Sequence, residues 1–119
     1  MQTAMINIKN LRLRTYIGFN PEELQKQQDV VINAEIHYPA DVAAQTDNES
    51  DAVNYKVITK QMIQLVEDGQ FKLLEKLVAE LLDVAMAHPA VRYGKISVDK
   101  PHALRFADSV SITMEQRRA

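Results

Sequence analysis

The sequence contains no cysteine, which excludes disulfide bonds, thiolate metal ligands and cysteine nucleophiles. It also lacks a surplus of basic residues: 14 Lys and Arg stand against 16 Asp and Glu, for a formal net charge of −2. A chain with that balance has no excess positive charge with which to neutralise phosphates, so we expect no nucleic-acid partner. Only three glycines are present, widely separated, and they form no phosphate-binding loop.

Long apolar segments are absent as well. No uninterrupted apolar run approaches the ~20 residues that a membrane-spanning helix needs, and Met1–Met5 lacks the features of a signal peptide. We therefore expect a cytoplasmic protein with no membrane partner. His37, His88 and His102 do not have the spacing of metal ligands, so no metal site is expected. The length of 119 residues and a hydrophobic content of 46% predict one domain, residues 1–119, around one modest core.

The hydrophobic pattern predicts four strands and two helices, since apolar residues recur with period two in some segments and with period 3.6 in others. In chain order these are strands at about 5–16 and 30–38, helices at about 54–67 and 73–87, and strands at about 91–100 and 109–115. The order β-β-α-α-β-β indicates the α+β class: a four-stranded antiparallel sheet with two antiparallel helices on one face. We expect neighbouring subunits to pair the two open sheet edges.

Two strands change phase, and each change predicts a β-bulge because a slip of one residue reverses the buried face. The first lies near Lys9 and Asn10, and the second at Gly94. Residues 39–53 are polar with little periodicity. A connection of that length in a small domain is often functional.

Several side chains suited to binding fall at the ends of these elements, where rigid structure can hold a site. They are Glu23, Gln28, Tyr55, Glu75 and Lys100. Each has an ordinary alternative. Glu75 would be favoured by the dipole of a helix start, Tyr55 would fill the core, and Lys100 would protect a sheet edge. Position alone leaves both interpretations open.

The segments around these residues resemble the dihydroneopterin aldolase and dihydroneopterin triphosphate epimerase family. They are Leu11–Gly18 with Glu23 and Gln28, Ala52–Tyr55, Phe71–Leu77 and Val98–Pro101. The resemblance spans nearly the whole chain. It implies a tunnelling fold (T-fold), whose subunits join their sheets into a β-barrel ring, and a homo-octamer of two stacked tetrameric rings with sites between subunits. It also implies a small-molecule pterin substrate and no cofactor, because the dihydropterin ring itself accepts electrons.

The resemblance implies that four residues bind the pterin. Glu75 matches the glutamate that accepts hydrogen bonds from the pterin amino group and ring N–H, as suits a bidentate carboxylate. Backbone at Leu74 would complete that edge. Val53, through its backbone, and Tyr55, stacked on the ring, would come from the neighbouring subunit.

Catalysis is assigned to Lys100 and Glu23, with Gln28 as support. The implied reaction is a retro-aldol cleavage: a base removes the proton of the 2′-hydroxyl, the C1′–C2′ bond breaks, and the ring takes up the electrons. Lys100 would be the acid/base partner, and Glu23 would hold the hydroxyls of the aldehyde. Release of the aldehyde makes an aldolase. Re-addition on its other face inverts C2′ and makes an epimerase.

The run His102–Ser109, together with residues 8–14 and 36–41, resembles the epimerase branch. Arg105 and His102 would suit a triphosphate tail, although Arg105 could equally be an ordinary loop charge. We therefore expect epimerisation at C2′ of 7,8-dihydroneopterin triphosphate to dihydromonapterin triphosphate. The alternatives are a dihydroneopterin aldolase that releases glycolaldehyde and 6-hydroxymethyl-7,8-dihydropterin in folate synthesis, and a non-catalytic pterin-binding domain.

Overall fold

A computed structural model describes residues 2–119. Its strands and helices follow in the order β1 (Thr3–Ile17), β2 (Gln28–Pro39), α1 (Asp41–Thr46), α2 (Tyr55–Asp68), β3 (Gln70–Phe71), α3 (Leu74–Met86), β4 (Tyr93–Lys100) and β5 (Val110–Arg117). The sheet has the order β3-β1-β2-β4-β5. The four long strands pair antiparallel, as predicted, and the two-residue β3 adds to the edge parallel to β1.

The core lies between the sheet and the pair α2 and α3, which confirms the α+β prediction. Helix α3 supplies most of its apolar stripe to this layer, and the residues at that spacing are fully or nearly fully buried: Leu77, Val78, Leu81, Leu82, Ala85 and Met86. On β2 every second residue is buried beneath the helices, from Val30 to Ile36. The two periods in the sequence therefore mark the two faces that meet.

The predicted β-bulge in β1 is present. Ile8 pairs with Ala34 and Leu11 pairs with Ile32, so β1 advances three residues while β2 advances two. Asn10 lies within the bulge. Its φ of 53° is in the left-handed region, which asparagine tolerates. Its backbone N–H donates to Asn33 Oδ1 at 2.9 Å. The bulge keeps the apolar residues on both sides of it facing the core.

The predicted bulge at Gly94 is wrong. Pairing of β4 with both neighbours runs without a shift, and Gly94 shares its face with Ile96. This face lies under α3: a Cβ at Gly94 would stand 2.9 Å from Met86 Sδ and 3.3 Å from Leu82 Cδ1. The glycine therefore permits close approach of a helix, which a sequence pattern does not distinguish from a bulge.

The connection of residues 39–53 contains a short helix, α1, and a single 3₁₀ turn at Glu49–Asp51, neither of which was predicted. Neither element has a buried residue, so no apolar stripe marks it in the sequence. Polar side chains order the segment: Asn48 Oδ1 accepts from the backbone N–H of Ser50 at 3.0 Å, and Thr46 Oγ1 donates to Asp51 Oδ2 at 2.7 Å.

The molecule is long for its size, because β1 runs 15 residues and the principal-axis extents are 53 × 25 × 23 Å. Its radius of gyration is 15.8 Å, compared with about 13.5 Å for a compact domain of this length. Among residues 2–119, no strand pairs with the outer edge of β5, and none pairs with the edge of β1 opposite β2 between Thr3 and Thr15. None of the helices in this described part is long and apolar enough to cross a membrane.

The C-terminus of α3 is held by Arg118, which follows β5. Its Nε donates to the carbonyl oxygen of Val91 at 2.7 Å, and its Nη2 donates to the carbonyls of Met86 and, at 3.4 Å, His88. The last turn of α3 has no basic residue of its own. Arg118 therefore provides the cation that the negative end of the helix dipole favours.

We predict that Arg118→Gln lowers the free energy of unfolding by about 1–2 kcal/mol, because the carbonyls at the end of α3 lose a charged donor. Urea unfolding at a fixed protein concentration measures the effect. Arg92→Gln, which neutralises an exposed arginine, is the control and should leave the midpoint unchanged. Equal midpoints for both variants would contradict the proposed anchoring role.

Candidate active site

The candidate site forms at one end of the sheet, where the end of β1 meets the segment before α3. Tyr16 pairs with Gln70 and Ile17 with Phe71. The N–H of Gly18 then donates to the carbonyl oxygen of Phe71 at 2.8 Å. This short pairing brings the start of α3 next to the turn that carries Glu23.

The structure brings together three of the sequence-predicted residues, Lys100, Glu23 and Gln28. Lys100 Nζ lies 2.8 Å from Glu23 Oε2, and both side chains are largely withdrawn from solvent, with exposures of 11% and 22%. Gln28 Nε2 donates to the same carboxylate oxygen at 3.2 Å and to the carbonyl oxygen of Ile17 at 2.7 Å. The ion pair thus joins residues 77 positions apart in the chain.

Lys100 does not protect a sheet edge, because β4 lies between β2 and β5. It shares the helix-covered face with Val98 and is 9% exposed. A charged side chain is rarely this buried unless it is paired. The ion pair with Glu23 therefore explains the position of Lys100 better than a role in preventing aggregation at a sheet edge does.

The position of Glu23 is fixed by its turn. Its N–H donates to Asn20 Oδ1 at 2.9 Å, as expected for an Asn-Pro turn. Gly18 faces the carboxylate at a φ of +127°, and a Cβ there would meet Glu23 Cδ at 2.2 Å. Glycine is required at this position both by the backbone angle and by the space that Glu23 occupies.

Electrostatics keep Glu23 ionised. The hydrogen bond from Lys100 lowers the pKa of its carboxyl group below the ordinary value of 4.5, against the opposing effect of burial, and the bond from Gln28 lowers it further. At neutral pH the carboxylate accepts hydrogen bonds and does not donate them. A carboxylate in this state can accept hydrogen bonds from the hydroxyl groups of a bound molecule.

Glu75 lies in the first turn of α3, one residue after Leu74, and is exposed. Leu73 precedes the helix and provides no side-chain cap, so nearby backbone N–H groups remain available to a ligand. A recess of about 80 Å³ lies beside Glu23 and reaches Lys72, two residues before α3 begins. It is lined by Tyr16, Gly18, Glu23, Leu24, Gln70, Phe71 and Lys72.

Sequence reasoning did not single out Tyr16 or Leu24 for this recess. Tyr16 reaches it through the parallel pairing of β1 with β3. A two-residue strand leaves no readable period in the sequence. The sequence around Gly69 therefore does not predict that Gln70 and Phe71 pair with β1.

Val53 and Tyr55 are not brought to the ion pair within one chain. Tyr55 begins α2, whose 14 residues span about 21 Å, and the far end of α2 lies at the site. There Thr15 Oγ1 donates to the carbonyl of Val66 at 2.6 Å. Tyr55 is 55% exposed, so the alternative of a core aromatic is wrong, while Val53 is buried.

His102 and Arg105 follow Lys100 on the same loop but make different contacts. His102 Nε2 lies 3.7 Å from Asp29 Oδ2 and its side chain is 79% exposed. The guanidinium of Arg105 lies 5.4 Å from the ring centroid of its neighbour Phe106, which is itself 95% exposed. Only His102 lies beside the residues of the site. Among residues 2–119, no group of three or more His, Asp or Glu side chains is placed to hold a metal ion.

The chain is similar to proteins of known family and known structure. The family model described as FolB, dihydroneopterin aldolase, matches residues 6–115. The chain belongs to this family. Its fold is that of the solved family members: the crystal structure of dihydroneopterin aldolase from Escherichia coli in complex with neopterin superimposes with a TM-score of 0.89, at 26% identity, over 95% of this chain and 98% of that one.

Two sequence relatives are more similar. The dihydroneopterin triphosphate 2′-epimerase of Escherichia coli K12 is 53% identical over 115 residues, covering 97% of this chain and 96% of the relative. The protein of the same name from Pseudomonas aeruginosa PAO1 is 52% identical, covering 97% and 94%. The expected resemblance to this family, and to its epimerase branch, is confirmed.

We predict that the stability contribution of Glu23 depends on pH. Its pKa is lowered in the folded state, so the ionised carboxylate stabilises the fold above about pH 4.5, and the contribution is lost as the pH falls through the lowered pKa. The difference in free energy of unfolding between the wild type and Glu23→Gln should be largest near neutral pH and shrink below about pH 4.5. Denaturant unfolding across that range measures it.

Glu22→Gln is the matched control, because Glu22 is the exposed neighbour in the same turn. Its effect on stability should be small and change little over the same range. A Glu23→Gln difference that stays constant with pH would contradict a lowered pKa.

Proposed function

We propose that this protein is an enzyme that inverts C2′ of 7,8-dihydroneopterin triphosphate to give dihydromonapterin triphosphate. The Lys100–Glu23 ion pair carries the chemistry, since it places an acid/base side chain beside an ionised carboxylate in a partly desolvated position. The choice of epimerase is supported by 53% identity to a named 2′-epimerase, compared with 26% to the aldolase of the same organism.

The substrate class is a pterin. The support is a solved relative, at 26% identity, whose crystals contain neopterin. In this chain Glu75 would bind the amino group and ring N–H of the pterin through both carboxylate oxygens. The backbone of Leu74, at the uncapped helix start, would bind the same edge.

The reaction begins at the side-chain 2′-hydroxyl. The Lys100 ammonium first gives a proton to solvent, and the neutral amine then takes the hydroxyl proton, directly or through a water. The C1′–C2′ bond breaks, and its electron pair enters the dihydropterin ring. Glu23, held by Gln28, accepts hydrogen bonds from the hydroxyls of the resulting aldehyde. When the aldehyde turns and re-adds through its other face, the same proton returns to the new alkoxide and C2′ is inverted.

The second half of the site comes from a neighbouring subunit in this proposal. Tyr55 and Val53 stand about one helix length from the ion pair within a single chain. The unpaired edges of β1 and β5 provide surfaces on which subunits can extend the sheet. We propose a β-barrel ring closed in this way, with two tetrameric rings forming an octamer, and with His102 and Arg105 as candidates for contact with the phosphates.

Aldolase activity is the second candidate, because the family model and the superimposed neopterin complex both carry that name. The same residues would catalyse the same bond cleavage. C1′ would then take up a proton, returned by Lys100 or supplied by solvent, and the products would be glycolaldehyde and 6-hydroxymethyl-7,8-dihydropterin.

One incubation distinguishes these activities. Purified protein is incubated with dihydroneopterin triphosphate and, separately, with unphosphorylated dihydroneopterin, and the pterins are separated by chromatography. We expect the C2′ epimer as the main product from the triphosphate. Mainly hydroxymethyl product would contradict the epimerase assignment, and no product from either compound would indicate a non-catalytic pterin-binding domain.

Two substitutions separate catalysis from binding. Lys100→Ala should abolish turnover and leave pterin binding largely intact, because the acid/base group is lost but the pterin edge is still held. Glu75→Ala should lose binding itself. Turnover is measured by product formation and binding by calorimetric titration with neopterin.

Lys95→Ala on the exposed face of β4 and Glu80→Ala on α3 are the matched controls, and both should retain activity. Affinity like that of the wild type in Glu75→Ala would refute its role in binding the pterin. Residual turnover in Lys100→Ala near the wild-type rate would refute the catalytic role of the lysine.

A further inference from the structure

A second cluster of charges lies beside the ion pair and has no part in the reaction described above. Arg14 Nη1 donates to Asp29 Oδ1 at 2.8 Å, and Arg14 Nη2 donates to the carbonyl of Gln27 at 3.0 Å. His102 Nε2 lies 3.7 Å from the other oxygen of Asp29. One carboxylate thus stands between an arginine and a histidine.

These residues surround a concave space, which we call the Arg14 recess. It has a volume of about 210 Å³ and is lined by Arg14, Gln27, Gln28, Asp29 and His102. Arg14, Gln27 and Asp29 also line a larger groove of about 630 Å³, which extends to Arg12 and Pro101. The space is therefore long enough for an extended group and carries two arginines.

The Arg14 recess lies next to the Lys100–Glu23 ion pair. Gln28 lines it and also donates to Glu23, so one side chain borders both places. On the other side, His102 follows Lys100 by two residues, a span of at most about 7 Å. A substrate whose reacting carbon lies at Lys100 can extend past Gln28 at the open end of the sheet into this recess.

The arrangement suits an anion with several oxygens. Arginine offers a planar fork that matches phosphate oxygens, and here the fork is already held open by Asp29 and the Gln27 carbonyl. The side chains remain accessible, with exposures of 61% for Arg14 and 45% for Asp29. An exposed pair of this kind contributes little to stability. Removing the Arg14–Asp29 pair should therefore change the free energy of unfolding little, so we expect its main effect to be on ligand binding.

We propose that the Arg14 recess binds the triphosphate tail of the substrate, with Arg14 and His102 as donors and with the Asp29 carboxylate as the group that phosphate oxygens replace. The inference rests on the proposed function for the identity of the substrate. It adds Arg14 and Asp29 to the site and makes them determinants of specificity for the phosphorylated over the unphosphorylated pterin.

Steady-state kinetics on the full chain test this role. Arg14→Gln should raise KM for dihydroneopterin triphosphate by roughly tenfold or more, since a charge-assisted pair of hydrogen bonds is lost. Its kcat, and both constants for unphosphorylated dihydroneopterin, should stay within about twofold of the wild type. Arg92→Gln is the matched control and should leave KM and kcat unchanged for both substrates.

Calorimetric titration with inorganic triphosphate tests the recess without turnover. The wild type should bind it, Arg14→Gln should bind it at least tenfold more weakly, and Asp29→Asn should bind it more tightly because the competing carboxylate is gone. If the wild type fails to epimerise the triphosphate, the proposed function fails, while this titration still decides the recess.

Three results would overturn the proposal. They are no binding of inorganic triphosphate by the wild type, equal affinity in Arg14→Gln and the wild type, and weaker binding in Asp29→Asn. A loss of affinity that appears in Arg105→Gln and not in Arg14→Gln would overturn it as well, since the tail would then lie along the loop.

Discussion

The β-bulge at Asn10 is the constraint on which the rest of the structure depends. It inserts one residue into β1 and so sets the face of every side chain from Leu11 to Ile17. With this phase, Thr15 points under the helices and donates to the end of α2. Without the extra residue, Thr15 would point to the other face and the end of α2 would lose that partner.

The same phase decides where the charges of β1 lie. Arg12 and Arg14 face away from the helices, so Arg14 meets Asp29 directly across the strand pair. Gly18, at the end of the strand, arrives beside Phe71 and Glu23. One inserted residue therefore determines two features. The end of β1 lies on the covered side beside Glu23, and the arginines of β1 lie exposed on the opposite face.

The two ion pairs at this end of the sheet differ in kind. The Lys100–Glu23 pair is largely covered, and its carboxyl group has a lowered pKa as a result of the direct hydrogen bond. The Arg14–Asp29 pair is about half exposed and therefore screened by solvent. A covered pair holds its geometry through a reaction, whereas an exposed pair can exchange its anion for another. These properties match the separate tasks that we propose for them.

Much of the fold could be predicted from the sequence, because the long elements have clear apolar periods. The bulge at Asn10 could also be predicted, since the period slips where the residue is inserted. Gly94 could not be interpreted correctly, because a glycine that admits a helix looks the same as one at a bulge. The helix α1 and the strand β3 were missed because neither buries a face that the sequence could mark.

For the candidate site, the predicted proximity of Lys100 and Glu23 came from resemblance, as no local pattern joins residues so far apart. The ion pair, the turn at Asn20 and the place of Gly18 needed the structure. The cluster at Arg14 was missed because arginine and aspartate on facing strands are ordinary in a sheet. Only the recess between them, and its border with Gln28, distinguishes them from other surface charges.

The length of α2 has a consequence for how such a protein behaves in a cell. Since the helix separates Tyr55 from the ion pair of its own chain, in the proposed assembly each working site draws on two copies. Activity would then fall on dilution even when every chain stays folded. Two damaged copies, one lacking the lysine and one lacking the tyrosine, could rebuild intact sites in a mixed ring, so that a defective allele would be partly hidden by its partner.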